Sequence, residues 1–127
     1  MAVSDTRPFY LNLIKIRLPV AGMLSIFHRV SGVLMFVVMP YLVYLLDLSL
    51  QGEAGFNRVA ELLSHPFSIL IQLVLLWSLV HHFLSGIRFL LIDFDIGIGK
   101  QQSTYSAWLI FALDLILVAG FAIGIWL

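Results

Sequence analysis

The sequence contains no cysteine and few charged residues. None of its 127 residues is a cysteine, and Asp, Glu, Lys and Arg together make up 11%. The absence of cysteine excludes disulfides, thiolate metal sites and iron–sulfur ligation within the chain. The formal net charge is zero, so nothing favours binding to nucleic acid. The first eight residues lack an apolar stretch, so we expect neither a signal peptide nor a transit peptide. We expect the protein to be inserted directly into a bacterial inner membrane.

Hydrophobic residues make up 61% of the chain, against roughly half in soluble domains. About 20 largely apolar residues cross a bilayer as a helix, and three segments qualify: 23–48, 66–92 and 105–127. We therefore predict an all-α membrane protein with three transmembrane helices that form a single domain over 1–127. A mixed aromatic and basic segment at about 8–20 is expected to lie on the membrane surface before the first span.

The positions of Lys and Arg predict the orientation. Arg7, Lys15 and Arg17 precede the first span, and Lys100 follows the second. The connector between the first two spans holds only Arg58 among several acidic residues, and the C-terminus has no basic residue. We therefore place the N-terminus and the second connector in the cytoplasm and the C-terminus in the periplasm.

Ionisable side chains occur inside the first two spans, where lipid makes them costly unless they line a protein interior or hold a ligand. Arg29 lies about 9 Å and His82 about 16 Å from the cytoplasmic ends of their spans, at 1.5 Å rise per residue. Each belongs to a helix face with polar and small residues. The two faces comprise Ser25, His28, Arg29 and Gly32 on the first span, and Ser78, His82, Gly86 and Phe89 on the second. Similar depths suggest one shared interior site.

Two interpretations of these faces remain open. An imidazole is a common axial ligand of haem iron, and an arginine suits a haem propionate. Gly86, one turn from His82, would let a flat macrocycle lie against the backbone. Alternatively, His82 and Arg29 only hydrogen-bond between helices.

Other polar residues in the spans are interpreted more plainly. His81 points about 100° away from its neighbour around the helix, so we expect it to be hydrogen-bonded or to face a partner chain. Asp93 at the end of the second span is expected to form a salt bridge with Arg88 or Arg29. Asp114, near the middle of the third span, is expected to face another helix, with a proton path as the alternative.

Two motifs resemble one family of membrane proteins. Arg7-Pro8 precedes residues 25–32, which read Ser-Ile-Phe-His-Arg-Val-Ser-Gly, and residues 82–89 read His-Phe-Leu-Ser-Gly-Ile-Arg-Phe, with Asp93 four residues later. Their order and spacing resemble the cytochrome b556 membrane-anchor subunits of succinate dehydrogenase, and length and span count agree along the whole chain. The third span carries no motif and agrees only in hydropathy.

The resemblance implies roles for four residues. His82 would be an axial ligand of a b-type haem, with the second axial histidine supplied by a partner anchor subunit in a heterodimeric bundle. Ser25 and Arg29 would line a ubiquinone pocket at the cytoplasmic face, and His28 and Arg29 would lie near the haem propionates. Phe89 stands where many relatives have a second histidine, so a propionate contact or proton relay through that position does not carry over.

The resemblance also implies partners. The chain would dock an iron–sulfur subunit and a flavoprotein subunit to the membrane, as part of an enzyme complex and without succinate chemistry of its own. Two alternatives remain open. One is the related fumarate reductase anchor, which usually works with menaquinone. The other is a small transporter or channel subunit in which Arg29, His82 and Asp114 form a proton or ion path.

Overall fold

A computed structural model describes residues 17–126 of the chain, and these form four α-helices. In chain order the helices are α1 (Val20–Ser49), α2 (Glu53–Ser64), α3 (Pro66–Asp93) and α4 (Lys100–Trp126). Within this range there is no β-strand. The predicted all-α fold is confirmed.

Three of the helices, α1, α3 and α4, are long and apolar enough to cross a membrane. Their positions agree with the predicted spans, except that α4 begins at Lys100 rather than at Tyr105. Residues 100–104 are polar, so hydropathy does not mark this first turn, although it is helical and Ser103 N donates to the Gly99 carbonyl at 2.8 Å. The predicted surface segment at about 8–20 lies almost entirely outside the described residues.

The three long helices pack side by side. Contacts between His28 and His82 and between Ser106 and Arg88 show that α3 runs antiparallel to both α1 and α4. The start of α1, the end of α3 and the start of α4 therefore lie together at one end, which we call the α3–α4 turn end. The short helix α2 lies at the opposite end, the α2 end, where it contacts α1 and α3.

The bundle is apolar outside and largely polar inside. Phe36 is 79% exposed and Leu115 is 72% exposed, whereas the buried apolar cluster contains only Leu24, Ala107 and Ile110 among the described residues. Six polar or charged residues are buried: Ser31, Ser78, His81, Ser85, Arg88 and Asp114. Lipid solvates apolar side chains as well as a protein core does, so small residues and polar contacts hold such helices together.

Helix α2 was not predicted, because two glycines and several charges made residues 51–64 read as a connector. Its apolar residues nevertheless recur at helical spacing, and Val59 is buried against the bundle. The helix also approaches the end of α1 closely. A Cβ added to Gly55 would clash with the Leu48 carbonyl oxygen, so only glycine allows this approach.

Polar side chains join α2 to α3 at the α2 end. Gln72 on α3 donates from Nε2 to the Leu63 carbonyl at 2.8 Å, near the end of α2. His65 precedes α3, and its Nδ1 accepts from Phe67 N at 3.3 Å as a cap. Pro66 follows at the first helical position, where its missing N–H costs nothing. The turn is therefore stabilised from both helices.

Candidate functional site

Two histidines from different helices lie together in the seam between α1 and α3. The imidazole rings of His28 and His82 are stacked, with centroids 4.1 Å apart and an interplanar angle of 11°. Each ring lies over a glycine of the opposite helix. A Cβ on Gly32 would lie 3.0 Å from His82 Cε1, and one on Gly86 would lie 3.6 Å from His28 Nε2. The position beside Gly86, expected to face a flat macrocycle, thus holds the His28 imidazole.

Hydrogen bonds determine which nitrogen of His82 carries the proton. Nδ1 lies 3.0 Å from the His28 carbonyl oxygen and 3.3 Å from Ser31 Oγ. Ser31 donates its only hydroxyl hydrogen to the same carbonyl at 2.8 Å. Both neighbours of Nδ1 therefore act as acceptors, so Nδ1 must be the protonated nitrogen. Nε2 keeps its lone pair.

His82 Nε2 is directed away from these contacts. It makes no hydrogen bond with any residue between 17 and 126, and it is not among the fully buried atoms of that range. The nitrogen that can donate a lone pair to a metal is thus engaged by none of these residues. The described residues contain no cluster of three His, Cys, Asp or Glu side chains that could enclose a metal ion. An ion bound at His82 would need most of its ligands from elsewhere.

The two predicted quinone residues lie on α1 on either side of His28, Ser25 toward the α3–α4 turn end and Arg29 away from it. Ser25 is half-buried and the side chain of Arg29 is exposed. Neither forms a side-chain hydrogen bond within the described part of the chain. They are four residues apart on one helix face, with His28 between them. The structure thus brings His28 and His82 into contact and places Ser25 and Arg29 on the turn beside them.

A second polar cluster lies inside the bundle, between α3 and α4. His81 Nδ1 is 2.5 Å from Asp114 Oδ2, and His81 Nε2 is 3.3 Å from Ser85 Oγ. The imidazole is flanked by the rings of Trp77 and Phe111, at 5.3 Å and 5.7 Å. Asp114 therefore faces another helix and His81 is hydrogen-bonded, as predicted from the sequence. The two adjacent histidines of α3 serve different faces.

Arg88 is buried and joins α3 to the first turns of α4. Its Nε donates to Ser106 Oγ at 2.8 Å, and its Nη2 donates to the Ser103 carbonyl at 3.1 Å and to Ser103 Oγ at 2.8 Å. The predicted salt bridge of Asp93 with Arg88 or Arg29 is absent from the described residues. The guanidinium instead donates from Nε and Nη2 to α4, because polar α4 backbone and hydroxyl groups lie within its reach.

Comparison with known proteins assigns the family. Residues 4–121 match the model of the succinate dehydrogenase/fumarate reductase transmembrane subunit. The chain is 31% identical over 125 residues to the succinate dehydrogenase cytochrome b556 subunit of Coxiella burnetii, covering 98% of this chain and all of that protein. It is 34% identical over 95 residues to the succinate dehydrogenase hydrophobic membrane anchor subunit of Halobacterium salinarum, covering 71% of each.

The three long apolar helices and these matches together show that the chain is a multi-pass membrane protein. The chain belongs to the family of transmembrane subunits of succinate dehydrogenase and fumarate reductase.

Proposed function

We propose that this chain anchors a succinate:quinone oxidoreductase in the membrane, holds a b-type haem through His82 and contributes Ser25 and Arg29 to a ubiquinone-reduction site. The observation that carries the haem assignment is the hydrogen bonding of His82. Its Nδ1–H is held by the His28 carbonyl and Ser31, which leaves Nε2 as the ligand atom. Metal-bound histidines almost always donate their other ring N–H in this way.

The donor set around His82 fits a haem better than a bare metal ion. The described residues offer one imidazole nitrogen, Nε2 of His82, that none of them engages, and a porphyrin would supply four further ligands. The sixth would be a histidine of a second anchor subunit packed on the same face, which makes the bundle heterodimeric. His28 and the exposed Arg29 lie on the adjacent turn of α1, where a propionate would find a hydrogen-bond donor and a permanent positive charge.

When bound, the haem supplies one-electron redox chemistry between the subunits. The protein residues on α1 have a separate role toward the quinone. Ubiquinone reduction builds negative charge on a carbonyl oxygen, and the guanidinium of Arg29 stabilises this charge at a site with little water. The Ser25 hydroxyl, one turn away, donates a hydrogen bond that orients the ring. Arg29 does not deliver protons, because a guanidinium does not deprotonate in proteins.

The proposed assembly follows from the relatives' names. Those relatives are subunits of succinate dehydrogenase, so we assign this chain an iron–sulfur subunit and a flavoprotein subunit as partners. From the positive charges around the first span we infer that the N-terminus and the α3–α4 turn end lie in the cytoplasm of a bacterium and the C-terminus in the periplasm. Ser25 and Arg29 would then face the docked dehydrogenase.

A reduced-minus-oxidised absorption spectrum of the purified complex tests the haem assignment. We expect a b-type band in the wild-type complex that disappears in His82→Ala, while co-purification of the variant chain with the dye-active dehydrogenase subunits shows that the complex still assembles. His65→Ala, which removes a histidine at the α2 end, is the matched control and should keep the band. A band that survives His82→Ala would refute the ligand assignment.

A further inference from the structure

We propose that Ser31 and Gly32, adjacent residues on α1, are positioning residues that set the plane and the proton of the His82 imidazole. This inference rests on the proposed haem ligation and extends it to two residues that do not touch the iron. Ser31 acts through a hydrogen bond, and Gly32 acts by having no side chain. Both contacts come from the opposite helix, so the ligand is oriented by the packing of α1 on α3.

The His82 ring is held at three places. Its Nδ1–H is shared between the His28 carbonyl oxygen at 3.0 Å and Ser31 Oγ at 3.3 Å. One of its faces stacks on the His28 ring. Its Cε1 edge lies against the backbone of Gly32. Rotation of the imidazole about its Cβ–Cγ bond would break at least one of these contacts, so the direction of Nε2 is defined before any ligand binds.

Gly32 leaves room for the His82 ring that even an alanine would narrow. An added Cβ would lie 3.0 Å from His82 Cε1 and 3.3 Å from its Nδ1, closer than ordinary van der Waals contact. The ring would have to move away from α1 by a few tenths of an ångström. It could do so only by lengthening the bond from Nδ1 to the His28 carbonyl. An alanine at this position therefore changes the ligand geometry directly.

Ser31 tunes the electronic character of the ligand. It is fully buried, and its hydroxyl hydrogen is already donated to the His28 carbonyl, so its oxygen accepts from Nδ1. An accepted Nδ1–H bond makes the imidazole a more basic ligand, and a more basic ligand favours ferric over ferrous iron. Loss of the hydroxyl should therefore raise the midpoint potential of the haem. A purely structural serine would not affect that potential.

The test compares five complexes that are purified through the dehydrogenase subunits and checked for succinate oxidation by dye. They are wild type, Ser31→Ala, Ser31→Thr, Gly32→Ala and Gly22→Ala. Gly22 lies on the same helix, and an added Cβ there meets only Pro19 and Leu18 side-chain atoms at 3.5 Å or more. The measurements are the midpoint potential of the haem and its low-spin electron paramagnetic resonance spectrum.

We expect Ser31→Ala to keep the b-type band with a raised midpoint potential, and Ser31→Thr, which retains the hydroxyl, to restore the wild-type value. Gly32→Ala should shift the resonance spectrum or lose the band, and Gly22→Ala should change neither. If Gly32→Ala fails to assemble, the midpoint potential of the Ser31→Ala complex tests the proposal by itself. The proposal would be overturned if Ser31→Ala and Gly32→Ala both kept the wild-type midpoint potential and resonance spectrum. If Gly32→Ala does not assemble, wild-type values in Ser31→Ala alone would overturn it. A wild-type complex without the band would overturn the haem assignment as well.

Discussion

His81 on α3 and Asp114 on α4 form a buried polar pair near the middle of the bundle, with Nδ1 and Oδ2 2.5 Å apart. Both residues are almost fully buried, and Asp114 Oδ1 has no hydrogen-bond partner within the described residues. A polar group that loses its partner in such surroundings keeps its desolvation penalty. The pair therefore ties α3 to α4 at a depth where few other polar contacts are available.

Removing one member of this pair should destabilise the protein more than removing both. We expect Asp114→Leu or His81→Phe to cost about 1–3 kcal/mol, because each leaves a buried polar group unpaired. The double variant should recover much of the loss. The apparent melting temperature of the purified complex measures all three.

The exposed ion pair of Arg58 and Glu61 is the matched control for that comparison. Its atoms lie 2.6 Å apart, but the side chains are 59% and 69% exposed. Such surface pairs contribute about 0–1 kcal/mol, so Glu61→Gln should have little effect. If Glu61→Gln and Asp114→Leu lowered the apparent melting temperature equally, burial would not strengthen the inner pair.

Arg88 should control the order of the first turns of α4. Replacing it by Leu removes three charged hydrogen bonds to Ser103 and Ser106, each typically worth about 1.5–3 kcal/mol when the donor is charged. The destabilisation in Arg88→Lys should lie between wild type and Arg88→Leu, because an ammonium cannot reproduce the planar fork of a guanidinium. Amide hydrogen exchange should accelerate over residues 100–106 in both variants.

The far end of α4 provides the internal control for the Arg88 measurement. Residues 118–124 lie at the opposite end of the helix and make none of these bonds, so their exchange should match wild type. Uniform acceleration along the whole helix would instead indicate general loosening of the bundle.

Gly55 and Gly120 should respond in opposite directions to the same substitution. An added Cβ at Gly55 would clash with the Leu48 carbonyl oxygen, whereas at Gly120 it would have no neighbour within 4 Å. Overpacking costs about 1–3 kcal/mol, which exceeds the gain of up to about 1 kcal/mol when Ala replaces Gly inside a helix. Gly55→Ala should therefore lower the apparent melting temperature, and Gly120→Ala should raise it slightly. A rise in both would show that α2 can move away from α1 at little cost.

The long apolar runs predicted α1, α3 and α4. The similar depths of Arg29 and His82 in their spans predicted that the polar faces of α1 and α3 meet. The same arithmetic could have paired His81 with Asp114. They lie, respectively, about 18 Å from Asp93 and about 14 Å from Tyr105, the predicted start of the third span. Helix α2 was missed because two glycines and several charges made residues 51–64 resemble a connector, although the apolar residues of α2 recur at helical spacing. Ser31 was missed because its role depends on the rotation of α1 against α3, which helical periodicity alone does not determine.

The proposed quinone site predicts a graded loss of turnover. A charged hydrogen bond contributes about 1.5–3 kcal/mol and a neutral one about 0.5–1.5 kcal/mol, and each 1.36 kcal/mol corresponds to about tenfold in rate. Arg29→Leu should therefore lower succinate:ubiquinone turnover by about ten- to a hundredfold, and Ser25→Ala by about two- to tenfold. Succinate oxidation by a dye should stay unchanged in both, since that reaction does not use the membrane site. Arg58→Leu, an exposed arginine at the α2 end, controls for loss of positive charge and should keep both activities. A parallel fall of quinone and dye activities would mean that these substitutions impair assembly, and wild-type quinone turnover in Arg29→Leu would refute its place in the site.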